Sequence, residues 1–141
     1  MSHEEICHGG HGEHGGLVDC DEELIDAVLT AATRVHSALG PGLLEAVYEA
    51  ALCVEFDEMR VVYRRQLEVP VRYRGRLLGI GFRADLVVAD SLLIELKSVA
   101  EIAPIHLAVT INYLKLLNLK RGYILNFNRR LLKEGIKRVS N

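Results

Sequence analysis

Between residues 24 and 39 the apolar positions Leu24, Ile25, Val28, Ala31, Ala32, Val35 and Leu39 return at the spacing of one helix face. Asp19 or Asp21 can cap that helix, and acidic residues crowd its first turn. Gly40-Pro41-Gly42 predicts its end and the opening of a second helix, because proline suits a first turn and not an interior. Leu43, Leu44, Val47, Ala51 and Val54 give the second helix its expected apolar face, running to about Phe56. At Arg60 the period changes. Residues 61–63 and 67–73 alternate as strands do, and Arg74-Gly75-Arg76 supplies a turn before Leu77-Leu78. Two β-rich runs, 81–89 and 92–97, follow with Ala89-Asp90-Ser91 between them. Pro104 opens a helix with Ile105, Ala108, Val109, Asn112, Leu116 and Leu117, or their neighbours, turned inward. Residues 122–127 read as a last buried strand, and Arg129 to Arg138 as a short basic tail. This order of elements predicts a single α/β domain over residues 19–141.

The first 18 residues stand apart, with glycine and histidine and no periodic apolar face, so a flexible tail is expected there. His3, Cys7, His8, His11 and His14 are suitable ligands for zinc, copper or nickel, but their spacing enforces no closed site. Cys7, Cys20 and Cys53 make neither an even disulfide set nor a zinc motif and are expected as free thiols. No apolar run approaches the roughly 18 residues of a membrane span, and no secretory signal is legible, so a soluble cytoplasmic protein without a membrane partner is expected.

Charge changes the picture more than bulk composition does. The net charge of −2 conceals thirteen acidic residues and one basic residue in 1–59, against six acidic and sixteen basic in 60–141. Arg64, Arg65, Arg72, Arg74, Arg76 and Arg83 concentrate in the hairpin region with Glu68 as the local acid. That cluster suits phosphates of a nucleic acid, or else pairs with the acidic helices.

The patterning leaves one anomaly: ADLVVADSLLIELKS, residues 84–98, is apolar enough for the middle of a sheet, yet holds Asp85, Glu95 and Lys97. Ionised groups are costly to bury unless paired or bound to a cation. Glu95 and Lys97, two apart on a strand, leave on one face. A two-residue turn at Asp90-Ser91 sets Asp85 opposite Leu96, whereas a three-residue loop, Ala89 to Ser91, sets it opposite Glu95. Only the latter serves chemistry, and it makes two carboxylates repel unless a cation lies between them. Asp85, Glu95 and the carbonyl of Leu96 are hard donors suited to magnesium or manganese. Lys97 beside them can orient a water or stabilise charge on a phosphate. The plainer alternative is a solvated strand end, since Asp, Glu and Lys are common.

Further motifs weigh on that choice. Gly42, Glu45 and Tyr48 form G-x-x-E-x-x-Y, placing Glu45, Tyr48, Glu49 and Leu52 along one helix stripe, and FRADLVV, IELK, NYLK and GYILNFN follow in order. Together these resemble the GxxExxY family, a small prokaryotic group of the PD-(D/E)XK nuclease-like superfamily, from about Leu24 to Val139. The resemblance implies an α/β fold, a restriction-endonuclease-like mixed sheet flanked by helices with the core order α-β-β-β-α-β. It also implies magnesium-dependent cleavage of DNA or RNA, with Glu45, Asp85, Glu95 and Lys97 as catalytic positions. Two departures stand out. Val109 occupies the place of a glutamine that in the superfamily often contacts the metal's water, the lysine or the nucleic-acid backbone, and Met59 lies where a glycine is usual. His106 and Tyr113 share a helix face near Val109 and are the polar groups closest to replacing it. The sequence thus leaves a nuclease beside a rival: the same fold binding nucleic acid or protein with its charges idle, as a monomer or a homo-oligomer.

Overall fold

The computed structural model describes residues 20–141, and the side chains from residue 21. The expected tail, its histidine and Cys7 ligands, Asp19 and the domain boundary there lie outside the described residues. Among the described residues three helices and five strands run in the order α1 (Cys20–Leu39), α2 (Glu45–Met59), β1 (Tyr63–Tyr73), β2 (Arg76–Val88), β3 (Leu92–Lys97), α3 (Pro104–Leu117), β4 (Arg121–Asn126) and β5 (Ile136–Ser140), with a 3₁₀ turn at Leu132–Gly135. The strands form one sheet in the order β1-β2-β3-β4-β5. Neighbours are antiparallel except β3 and β4, which are parallel with α3 as the crossover. The fold is the α/β, restriction-endonuclease-like arrangement, with helices on both faces of a mixed sheet.

Alternation along the strands gives the sheet two buried faces. Leu86, Val88, Ile94, Leu96, Tyr123 and Leu125 pack beneath α1 and α2, and Val87, Leu93, Ile124 and Val139 pack beneath α3. α1 buries Leu24, Val28, Ala31, Ala32 and Val35, as its periodicity predicts. Cys53 is a buried free thiol. Among the described residues no helix is long and apolar enough to cross a membrane.

Several expectations are corrected. α2 begins at Glu45, so Pro41 lies in the connecting loop. Its inward face is Tyr48, Glu49, Leu52, Cys53 and Phe56; of the expected face only Ala51 reaches the core, while Leu43, Leu44, Val47 and Val54 are exposed, Leu44 by 76% and Val54 by 59%. Apolar residues lie on both sides of the helix, interspersed with acids, so its period could not choose a face, and Tyr48 and Phe56 supply more contact area than Val47 and Val54. In α3 the inward set is Thr110, Tyr113 and Leu114, with Leu107, Val109 and Leu117 partly buried, whereas Ile105 is exposed. The two strand segments expected over 61–73 are one strand from Tyr63, and Leu77-Leu78 and the run from 81 likewise join in one long β2 that ends at Val88, with Ala89 in the loop. The basic tail contains β5, which closes the sheet beyond β4 through Val139 opposite Gly122.

Candidate active site

The β2–β3 register settles the parity question. Leu86 pairs with Ile94, Val87 with Leu93 and Val88 with Leu92, the register of a three-residue loop. Ala89 (φ 51°) and Asp90 (φ 53°) take left-handed conformations in that loop, and the Ser91 N–H returns to the carbonyl of Val88 at 3.0 Å. Asp85 is therefore level with Glu95. At this level the backbone ladder stops and the side chains replace it. The Asp85 N–H donates to Glu95 Oε2 at 2.9 Å, and the Leu96 N–H donates to Asp85 Oδ2 at 2.8 Å.

A second irregularity aims Asp85. β1 and β2 pair Arg65 with Leu86 and Leu67 with Ala84, leaving Gln66 and Asp85 between those pairs. On one side of this level Tyr63 and Leu86 pack under α1 and α2; on the other, Leu67 and Ala84 pack under α3. Both strands thus turn over here, with Gln66 at φ 48°. β2 leaves β3, and a cleft of about 440 Å³ between α2 and the sheet is lined here by Glu45, Ala46, Glu49, Gln66, Asp85 and Leu96.

The G-x-x-E-x-x-Y segment fixes the opposite wall. Gly42 (φ 96°) adopts a backbone that side chains disfavour. The Tyr48 hydroxyl donates to the Gly40 carbonyl at 2.6 Å and accepts the Leu43 N–H at 3.1 Å, while its ring stacks on Phe127 with centroids 4.4 Å apart. Ser98, the residue after Lys97, ties this loop to β3: its hydroxyl donates to the Leu43 carbonyl at 2.7 Å, and its N–H to Glu45 Oε2 at 3.3 Å. Glu45 is thereby held at the end of β3.

The electrostatics are those of crowded, partly dehydrated acids. Glu95 is 5% exposed; burial first, and the charge of Asp85 second, push its pKa up to about 8. Burial also raises Asp85, with Glu49 and Glu45 adding to the rise and the Leu96 N–H and Lys97 opposing it. Tyr113 rises through burial and then the charges of Glu95 and Asp85. A solvated strand end does not produce this pattern. Lys97 is the cation near both carboxylates and forms no ion pair among the described residues.

Glu45, Asp85, Glu95, Leu96 and Lys97 are thus brought together. The six arginines are not. Arg65 is committed to α2, its guanidinium 3.1 Å from Glu49 Oε2; Arg64 lies 3.3 Å from Asp90 and Arg83 3.8 Å from Glu68. Arg72, Arg74 and Arg76 occupy the exposed end of the hairpin and form no ion pair among the described residues. Val109 packs in the α3 core, and His106 caps its own helix, its Nδ1 accepting the Ala103 N–H at 2.9 Å. Sequence reasoning passed over three contributors: Gln66, Ser98 and the buried Glu49. Glu49 carried a signal, because it lies one turn from Glu45 on the same stripe.

Among the described residues no three His, Cys, Asp or Glu side chains gather into a metal-holding cluster. The available donors at Asp85, Glu95 and Leu96 are all hard oxygens, beside a cleft with room for water. That set fits a cation such as magnesium, which keeps several waters and needs no all-protein cage.

The superfamily profile of the PD-(D/E)XK nucleases matches residues 22–139. The chain belongs to the PD-(D/E)XK nuclease superfamily, whose members generally use divalent metals. Comparisons with curated proteins and with solved structures give no match.

Proposed function

We propose that the protein is a magnesium- or manganese-dependent nuclease that hydrolyses phosphodiester bonds in DNA or RNA. The observation that carries this reading is the convergence of Asp85, Glu95 and Lys97 where β2 parts from β3, in a chain of a nuclease superfamily. Asp85, Glu95 and the Leu96 carbonyl would hold the ion, which when bound polarises a phosphoryl oxygen and acidifies water. Lys97 orients the attacking water or stabilises charge that develops on the phosphate. Glu45, fixed by Ser98, orders water on the α2 side of the cleft. Of the six arginines, the exposed Arg72, Arg74 and Arg76 would meet phosphates beyond the cleft, while Arg64 and Arg83 sit in exposed, weakly held pairs that a phosphate can displace. Arg65 is committed to Glu49.

The test is cleavage of single- and double-stranded DNA and RNA with Mg²⁺ or Mn²⁺ by the full chain, beside Asp85→Asn. Turnover lost in the variant supports the reading; equal turnover in both preparations identifies a contaminant and rejects it.

A second reading, a non-catalytic binding module that self-associates, is favoured by the exposed apolar stripe of Leu44, Val47 and Val54 and by Leu78, Ile80 and Phe82 on the hairpin. It predicts salt-sensitive nucleic-acid binding that survives Asp85→Asn, and a dimer mass by light scattering; a monomer that loses binding with Asp85 excludes it.

A further inference from the structure

Gln66 is the one residue of the cleft wall whose backbone is strained. It is a non-glycine residue at φ 48° within a strand, at the level where β1 and β2 both turn over. Such conformations persist where surrounding contacts over-determine them, and an observed outlier next to a site justifies asking what it is for. Its side chain answers. The single amide nitrogen Nε2 lies 2.6 Å from Glu49 Oε1 and 3.4 Å from Asp85 Oδ1. An amide nitrogen has two hydrogens to give, so both carboxylates can be served at once. Glu49 is anchored in turn: it is buried, and its other oxygen takes the Arg65 Nε–H at 3.1 Å. Asp85 is held from the opposite direction by the Leu96 N–H on Oδ2. The result is a chain of contacts from Arg65 through Glu49, Gln66 and Asp85 to the backbone of β3.

We propose that Gln66 is a positioning residue: the left-handed turn in β1 swings its amide between Glu49 and Asp85, and that amide fixes the rotamer in which Asp85 presents its carboxylate to Leu96 and to the cleft. The inference rests on the reading of Asp85 as a metal ligand only for its functional consequence, since the orientation of Asp85 is measurable without any ligand. It also explains why a bulky polar residue stands where glycine meets the backbone requirement more cheaply.

Gln66→Gly separates the two roles. Glycine accepts the left-handed backbone without strain, so the fold is retained, while the amide is gone. Amide hydrogen exchange by NMR on the full chain reads the Leu96 N–H against the Ile94 N–H, which leaves the same edge of β3 and lies within the regular β2–β3 pairing. Exchange at Leu96 is expected to quicken about tenfold with Ile94 unchanged, the scale of one hydrogen bond loosened. Unchanged protection at Leu96 overturns the proposal, and so does equal quickening at both sites, which denotes general loosening. Mn²⁺ titration by calorimetry is read in parallel, with Asp85→Asn as the baseline for binding elsewhere on the chain. A weaker site in Gln66→Gly than in the wild type carries the positioning role into function. If wild type and Asp85→Asn bind Mn²⁺ alike, the metal-site reading falls while the exchange data still decide the role of Gln66.

Discussion

The carboxylate of Glu95 accepts the backbone N–H of Asp85 at 2.9 Å, and so occupies a place that a strand carbonyl fills elsewhere in the sheet. A carboxyl group is thereby built into the β2–β3 junction, with a second acid beside it. Burial and the neighbouring Asp85 charge put the Glu95 pKa at about 8 against an ordinary 4.5. The folded chain therefore retains a proton that the unfolded chain has released between those values, and stability must decline as pH rises through that window and level off above it. Thermal melts at about pH 5, 7 and 9 should show this decline, and Glu95→Gln should flatten it. A wild-type profile that rises over the same range would contradict the placement of Glu95.

Asp85→Asn tests the partner acid. Asparagine keeps an oxygen for the Leu96 N–H but removes the charge that opposes Glu95. The melting temperature should stay level or rise slightly, while magnesium or manganese binding measured by calorimetry is lost. A large drop in melting temperature would make Asp85 a structural residue instead.

How far these relationships could be read from the sequence depends on what each residue's partner is. Asp85 facing Glu95 depended on strand parity and on a loop length that the sequence left open between two residues and three, and the register is that of three. The outward turn of Leu44, Val47 and Val54 did not follow, because α2 has apolar residues on both sides and only the shape of the sheet beneath decides between them. β5 was hidden for a related reason: Lys137 and Arg138 stand side by side before Val139, and an edge strand with one buried side chain has almost no alternation to detect. Gln66 gave no signal because its role depends on a left-handed residue inside a strand, which no propensity anticipates. The arginines show the opposite failure. They looked equivalent in the sequence, yet Arg65 is spent on Glu49.

Tyr48→Phe probes the motif that places Glu45. The ring stack on Phe127 remains, but the Gly40 carbonyl and Leu43 N–H lose their shared partner. The cost should be about 1–2 kcal/mol by denaturant unfolding. Because the loop also carries the contact to Ser98, activity should fall more than this loss of folded protein explains; activity that tracks folded fraction alone would confine Tyr48 to the fold.

Lys97→Ala separates cleavage from metal holding. The lysine neighbours both carboxylates without pairing to either, so its removal takes away a positive charge but no ligand oxygen. Metal affinity should persist, while turnover on a nucleic-acid substrate falls by roughly 10²-fold or more, the usual scale for a lost charge-stabilising group. Unchanged turnover would remove Lys97 from the mechanism.

The arginines divide into two kinds, and one pair of measurements distinguishes them. Arg65→Met leaves the Glu49 carboxylate, buried against Tyr48 and Leu52 on the inner face of α2, with the Gln66 amide as its remaining partner. An acid stripped of its cation in such a place costs stability, here about 1–3 kcal/mol, less than for a fully buried pair because the Arg65 side chain is 46% exposed. Arg74→Met at the hairpin turn should cost almost nothing, since it breaks no ion pair. Nucleic-acid binding should respond in the reverse order: each of Arg72, Arg74 and Arg76 replaced by Met should reduce the salt slope by about one, the signature of one lost phosphate contact. Salt slopes that stay fixed across all three would show that phosphates pass elsewhere, and would leave the hairpin's apolar side, with Leu78 and Ile80, as the reason for its length.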